Sequence, residues 1–143
     1  MKIEKISDIY EVLKGYTRKK RLVVAFANDS HSIEAVYMAV KAGLVEGILV
    51  GDTETIQGVC KENGYDESCF KIVHEPNDVR GAETAVEMIR NGEADVIMKG
   101  LVSTDKYMRA ILNKERGLVA PNAILSHVVV MECSSYHKLL TVS

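Results

Sequence analysis

The stretch Leu22-Val23-Val24-Ala25-Phe26-Ala27-Asn28-Asp29-Ser30 decides the fold, because an unbroken apolar run leads directly into a helix-capping sequence. A continuous apolar run of this length is typical of a strand that is buried on both faces of a sheet. Asn, Asp and Ser are favoured at helix starts because their side-chain oxygens accept backbone N–H groups. Apolar residues then recur at helical spacing through Ile33, Val36, Tyr37, Val40 and Leu44. The stretch therefore predicts a strand followed at once by a helix.

The same strand–helix unit occurs three more times along the chain. Further strands are expected at residues 47–51, 70–74 and 95–98, each followed by a helix-capping sequence. A shorter helix, at about residues 7–14, precedes the first strand. Parallel strands need crossover connections, and those connections are right-handed. The sequence therefore predicts an α/β fold of three layers, α/β/α, with a mostly parallel sheet.

The last part of the chain follows a different pattern. Two β-rich runs, at residues 124–131 and 138–142, flank the turn-like segment 133–137. No helical stripe fits between them, so they predict an antiparallel strand pair at the C-terminal end. Residues 1–143 are expected to form a single α/β domain, and a chain that ends on a strand suggests the N-terminal portion of a longer protein.

Composition and charge exclude several classes of partner. Eighteen basic residues against twenty acidic ones give a net charge of -2, which argues against nucleic acid or an anionic membrane as partner. The sequence contains no apolar run of about 18 residues and no signal-peptide core, so a cytoplasmic location is expected. Neither the three cysteines nor the four histidines have metal-ligand spacing, and we expect no metal site.

Ligands of open α/β sheets bind beyond the carboxyl ends of the strands. The fourth predicted strand is followed by Lys99 and Gly100, and Ser103 and Thr104 then begin a helix. A helix N-terminus favours an anion, the lysine adds a full charge, and the hydroxyls add donors. These residues are candidates for binding phosphate. The alternative is that one hydroxyl only caps the helix and the lysine is solvated.

Other strand ends offer weaker candidates. Asp29 can position a ligand hydroxyl or an arginine, or can simply cap its helix. His127 lies in the predicted strand 124–131 and is a second candidate to face a cleft. We find no convincing catalytic base in the sequence.

Several runs together resemble the phosphate acetyl/butyryltransferase family. Residues 94–104, Ala-Asp-Val-Ile-Met-Lys-Gly-Leu-Val-Ser-Thr, resemble the family's A-D-x-x-M-K-G-x-x-x-T run. Residues 124–128 resemble its L-S-H strand, and residues 48–52 and the spacing of Asp29 also fit. The order of these runs covers nearly the whole chain, and the butyryltransferase branch looks closest.

The resemblance implies transfer of an acyl group between coenzyme A and orthophosphate. It implies a fold like that of the isocitrate and isopropylmalate dehydrogenases, with two α/β domains around a cleft and usually a dimer. Coenzyme A would be a substrate, with no permanently bound cofactor. Family members are longer, and their catalytic serine, arginine and aspartate would lie beyond Ser143. This chain would supply one wall of the cleft.

Three alternatives remain open. A decarboxylating dehydrogenase of the same fold would need metal-binding carboxylates and an arginine cluster, which the sequence does not show. An acyltransferase that uses acyl carrier protein would need a basic docking patch, for which residues 19–21 are the only strong cluster. The third alternative is a domain that binds a phosphate ligand or a partner chain without catalysis.

Overall fold

The computed structural model describes residues 2–143, which form two separate sheets and five α-helices. In chain order the elements are α1 (Ile6–Lys14), β1 (Lys20–Ala25), α2 (Ser30–Lys41), β2 (Val45–Gly51), α3 (Thr53–Asn63), β3 (Phe70–His74), α4 (Asp78–Arg90), β4 (Val96–Lys99), α5 (Thr104–Leu112), β5 (Val129–Met131) and β6 (Leu140–Val142). The four strand–helix units that the sequence predicts are confirmed, including the predicted bounds of β3.

The main sheet has four parallel strands in the order β3-β2-β1-β4. β1 lies between β2 and β4, with Val23 opposite Ile48 on one side and Ile97 on the other. The chain proceeds outward from β1 through β2 to β3, and then crosses back to place β4 on the free side of β1. In open α/β sheets ligands bind where the strand order reverses in this way, at the carboxyl ends of β1 and β4. We call the region between these two strand ends the crevice.

Helices cover both faces of the main sheet. Val24 packs in one buried cluster with residues of α2 and α3, including Ile33 and Ile56. Its neighbours Val23 and Ala25 point to the other face, in a cluster with residues of α4. Successive side chains of a strand point to opposite faces, so one apolar run serves two cores. The predicted three-layer α/β/α arrangement is therefore confirmed.

The helices begin at the predicted capping residues. The side chains of Asp29, Asp52, Asn77 and Ser103 accept backbone N–H groups at the starts of α2, α3, α4 and α5. α3 ends at Gly64, whose φ of 70° lies in the left-handed region that glycine adopts without steric cost. These local signals fix where the strands end, and hence where the crevice lies.

The C-terminal part forms the predicted antiparallel pair, but its first strand is much shorter than expected. Of the predicted strand 124–131, only Val129–Met131 pairs, and of the predicted strand 138–142, only Leu140–Val142 pairs with it. Residues 123–128 are irregular, and the Ile124 side chain is 93% exposed. The pair is not part of the main sheet, so no neighbouring strand extends the ladder. An isolated two-stranded sheet is marginally stable, which accounts for the short pairing.

Arg21 and Asp95 join the beginnings of β1 and β4. The Arg21 guanidinium donates to both carboxylate oxygens of Asp95, at 3.0 and 3.1 Å, and the Arg21 backbone N–H donates at 2.9 Å. These hydrogen bonds hold the pKa of Asp95 well below its ordinary value. The pair fixes the short outer strand β4 against β1, and with it the position of the loop that follows.

Candidate functional site

The crevice between β1 and β4 brings together two chain segments that are far apart in the sequence. Lys99, the last residue of β4, lies opposite Ala25, the last residue of β1. The loop 100–103 then leads into α5, and residues 26–29 lead into α2. The first and fourth strand ends are therefore neighbours, whereas the ends of β2 and β3 lie farther along the sheet edge.

Backbone hydrogen bonds form the floor of this crevice. The N–H groups of Gly100 and Leu101 donate to the carbonyl oxygens of Ala25 and Phe26, at 3.0 and 2.7 Å. A Cβ atom at Gly100 would overlap the Phe26 carbonyl oxygen and lie 2.8 Å from that of Ala25. Only glycine fits this close approach, because any side chain would push the two segments apart.

Lys99 is an exposed cation at the mouth of the crevice. Its ammonium group donates a long hydrogen bond of 3.5 Å to the Gly100 carbonyl oxygen, and no carboxylate of residues 2–143 pairs with it. A hydrogen bond of this length is weak. The charge of Lys99 is therefore available to an anion in the crevice.

Two residues with hydroxyl groups follow this cation within five positions of the chain, at the start of α5. Ser103 caps the helix, its Oγ accepting the Lys106 N–H at 3.3 Å, and its own hydroxyl proton remains available to donate. Thr104 is the first residue of the helix and is exposed. The first N–H groups of a helix also lack intrahelical partners. Lys99, Gly100, Ser103 and Thr104 thus lie within the six residues that join the end of β4 to the start of α5.

The charges around the helix starts favour the start of α5 for an anion. α2 and α3 are capped by carboxylates, those of Asp29 and Asp52, whereas α5 is capped by the neutral Ser103. The nearby carboxylate of Asp78 is 2.6 Å from the Lys106 ammonium, and this hydrogen bond lowers the pKa of Asp78. Asp105 is paired with Arg109 at 2.9 Å along the same helix.

Asp29, four residues beyond the end of β1, is the capping residue of α2. Its Oδ2 accepts the Ser32 N–H at 3.0 Å, while its Oδ1 is buried and has no hydrogen-bond partner within residues 2–143. The capping alternative is therefore correct for one oxygen. The other oxygen is an acceptor that a hydroxyl, an amide or a cation can satisfy.

His127 does not lie in a strand, contrary to the prediction. It is exposed in the irregular stretch before β5, rather than in a strand, and lies outside the main sheet. The reason is the missing neighbour strand described above. The Nδ1 atom of His74, at the end of β3, lies 3.0 Å from the Thr53 hydroxyl oxygen, which is within hydrogen-bonding distance.

Two residues at the end of β1 have roles that the sequence did not predict. The Asn28 side-chain oxygen accepts the Asp52 N–H at 2.9 Å and so joins the end of β1 to the start of α3. Phe26 adopts a φ of 64°, in the left-handed region. Asn28 was visible as a polar strand-end residue, but no sequence signal marks a phenylalanine for a left-handed backbone.

Two kinds of site are not found in the part of the chain that the structure describes. No three His, Cys, Asp or Glu side chains among residues 2–143 are grouped so that they could hold a metal ion. None of the five helices described above is long and apolar enough to cross a membrane.

Comparisons with curated proteins identify relatives over most of the chain. The chain is 41% identical to phosphate butyryltransferase of Clostridium acetobutylicum over 138 residues, which are 96% of the chain and 45% of that protein. It is 33% identical to phosphate acetyltransferase of Thermotoga maritima, again over 96% of the chain and 46% of that protein. No family model matches the chain.

Solved structures support the same fold. A branched-chain phosphotransacylase from Enterococcus faecalis V583 superposes with a TM-score of 0.63 at 22% identity, over 85% of the chain and 40% of that structure. A phosphotransacetylase from Streptococcus pyogenes gives 0.62 at 18% identity, over 88% and 46%. The chain spans less than half the length of the curated relatives it matches. The chain is therefore a homologue of the phosphate acetyl/butyryltransferases, matching a segment that makes up less than half of each relative.

Proposed function

We propose that this chain supplies the phosphate-binding wall of an enzyme that transfers an acyl group between coenzyme A and orthophosphate. The observation that carries the proposal is the ammonium of Lys99 at the end of β4, which has no carboxylate partner in the described chain and is followed within five residues by Gly100, Ser103 and Thr104. The similarity to named phosphate butyryl- and acetyltransferases supports the same reaction class.

The proposed site residues act on phosphate by charge and hydrogen bonding. The ammonium of Lys99 and the hydroxyl donors hold the dianion while one of its oxygens attacks the thioester carbonyl carbon. A carbon–oxygen bond forms, the carbon–sulfur bond breaks, and coenzyme A leaves as a thiolate that takes up a proton. Donors that are already oriented stabilise charge without reorganisation during the reaction. Only the phosphate-holding part of this task falls to the chain described here.

The remaining catalytic groups are proposed to lie beyond Ser143. A thiol with an ordinary pKa of ~8.5 needs a base in the reverse reaction, and no side chain in the crevice is placed for that role. In this proposal a second α/β domain closes the cleft, as in the isocitrate and isopropylmalate dehydrogenase fold. The unpartnered Oδ1 of Asp29 would then accept a donor from coenzyme A or from that domain. His127 remains a candidate that such a domain would have to bring to the cleft.

We propose butyryl-CoA as the acyl donor. Two of the relatives are named phosphate butyryltransferases, at 41% and 35% identity, against 33% for the Thermotoga maritima acetyltransferase. A methylene group changes discrimination in an apolar pocket by only ~1–3 kcal/mol, so acetyl-CoA should also react at a lower rate.

A thiol-release assay tests the reaction. The protein that carries this chain, at its full natural length, is mixed with butyryl-CoA and a thiol-trapping reagent, with and without phosphate. We expect free coenzyme A only when phosphate is present, because phosphate is the nucleophile. Acetyl-CoA serves as the control for chain length. Thiol release at the same rate without phosphate would contradict the proposal.

A second candidate function is binding of phosphate, or of a partner chain, without catalysis. It needs only residues of this chain, since among residues 2–143 Lys99, Ser103 and Thr104 are candidates for binding phosphate and none is placed as a catalytic base. A titration of the 143-residue chain with phosphate tests binding, which both functions require, and the thiol-release assay separates them. Phosphate binding without thiol release by the natural-length protein would establish binding alone.

The isolated chain should self-associate, and we propose that the enzyme is a homo-oligomer. Several apolar side chains are exposed in its C-terminal part, residues 124–142, among them those of Ile124, Val128 and Val130. β4 is also an outer strand, and an open strand edge pairs readily with other chains. Size-exclusion chromatography with light scattering should therefore give a mass above that of one chain. A single-chain mass that persists at high concentration would contradict this prediction.

Polar substitutions identify the surface responsible. Ile124→Ser together with Val128→Ser should shift the isolated chain toward the monomer, because both side chains are exposed and their loss leaves the core intact. Met38→Ser is the matched control: Met38 is exposed on α2, away from this segment, and its substitution should leave the mass unchanged.

A further inference from the structure

We propose that Phe26 is a positioning residue, whose left-handed backbone holds the loop 100–103 and the start of α5 in the geometry that receives phosphate. The inference rests on the proposed function for its substrate. The structural claim, that Phe26 joins β1 to the loop after β4, does not depend on the proposed function.

The backbone at Phe26 is the observation that carries the inference. Its φ of 64° is one of two left-handed values at residues other than glycine among residues 2–143, the other being at Asn122. Asparagine is enriched in this region, whereas a bulky residue there is a genuine outlier. Such conformations persist only where the surroundings enforce them, and they cluster at functional sites.

The turn at Phe26 changes what the end of β1 can bind. In a regular strand, successive carbonyl groups point to opposite neighbours. Here the carbonyls of Ala25 and Phe26 both accept from the loop after β4, through the N–H groups of Gly100 and Leu101 at 3.0 and 2.7 Å. The next N–H, that of Ala27, donates to Val50 of β2 at 2.7 Å. Phe26 therefore joins the loop to the two central strands at once.

The aromatic ring explains why this position holds phenylalanine rather than glycine. The ring is buried in the same cluster as Ala82 and Ala85 of α4. It also lies so close to Gly81 that a Cβ there would be 3.2 Å from the ring carbon Cδ2. The ring fixes the side chain against α4 while the backbone turns toward the loop. The loop that begins at Gly100 is thus held to β1 through Phe26, whereas Lys99 itself is placed by the strand pairing opposite Ala25.

A comparison of Phe26→Gly with Phe26→Ala separates the effect of the left-handed backbone from the effect of losing the ring. Both variants lose the ring, but glycine adopts a left-handed φ freely and alanine does not. The left-handed region disfavours alanine by about 5- to 30-fold in population. In the natural-length protein we expect the KM for phosphate to rise about tenfold further in Phe26→Ala than in Phe26→Gly. The KM for the acyl-CoA should be similar in the two variants.

A structural readout accompanies the kinetics. Hydrogen exchange of the Leu101 amide should be slow in the wild type and in Phe26→Gly, and faster in Phe26→Ala. Should the loss of the ring prevent folding, Gly100→Ala keeps the ring but places a Cβ against the Phe26 carbonyl oxygen. That variant should also speed Leu101 exchange. Gly58→Ala is the matched control, because a Cβ there meets nothing within 4 Å.

The outcomes distinguish the inference from the proposed function. Equal phosphate KM values and equal Leu101 exchange in the glycine and alanine variants would overturn the positioning role. If the wild type uses no phosphate, the proposed function fails. Leu101 exchange would still decide whether the left-handed residue holds the loop.

Discussion

Replacing Lys99 by alanine should raise the KM for phosphate about 10- to 100-fold and leave the KM for the acyl-CoA within about threefold. The physical reason is the loss of one charge-assisted hydrogen bond, which contributes about 1.5–3 kcal/mol, where each 1.4 kcal/mol is a factor of ten. The Lys99 ammonium has no carboxylate partner in the described chain, so its removal leaves no buried charge behind. Steady-state kinetics of the natural-length protein, with each substrate varied in turn, measure the effect.

The control removes the same charge elsewhere. Lys114 is exposed in the turn after α5, at the opposite end of that helix from the crevice. Lys114→Ala should therefore change both KM values by less than about twofold, since a screened surface charge acts weakly over that distance. Equal increases in both KM values for Lys99→Ala would show that the lysine is structural and does not hold phosphate.

Replacing Leu49 by alanine should lower the free energy of unfolding by about 2–5 kcal/mol. Leu49 lies in β2 and is fully buried, in the cluster with Ile33 and Ile56. A large-to-small substitution at such a site loses the burial of the removed atoms and leaves a cavity. Because a domain of this size is stable by only about 5–15 kcal/mol, the variant should be close to unfolding. Urea denaturation followed by circular dichroism measures the change.

The comparison for Leu49 is an exposed leucine. The Leu112 side chain is 48% exposed at the end of α5, and Leu112→Ala should change the free energy of unfolding by less than about 1 kcal/mol. Similar losses for the two variants would mean that the core does not lie between the sheet and α2 and α3.

The elements of the main sheet were predictable because their signals are local. The apolar run from Leu22 and the capping residues after it fixed β1 and α2 to within two residues. β1 nevertheless ends at Ala25 rather than at the predicted residue 27, since Phe26 turns out of the strand. Hydropathy does not reveal a backbone angle that is imposed by hydrogen bonds to a loop over 70 residues away.

The candidate site was predictable only in part. Lys99, Gly100, Ser103 and Thr104 are close in the sequence, so a strand followed by a helix places them together whatever the rest of the fold does. His127 depended on a long strand that would need a neighbour, and the chain provides only the three-residue partner β6. The apolar residues of segment 124–131 led to the prediction of a long strand, but most of them are exposed in the structure.

Local sequence alone determined the strands of the main sheet, the helix starts and the phosphate-binding candidates, because periodicity and capping act between residues a few positions apart. Tertiary structure alone decided that the end of β1 adjoins the end of β4, so that Asp29 and Lys99 share one crevice. Strand order depends on which surfaces pack across the whole sheet, and no short segment encodes it. The same long-range contacts impose the left-handed Phe26, which joins the two sides of the crevice.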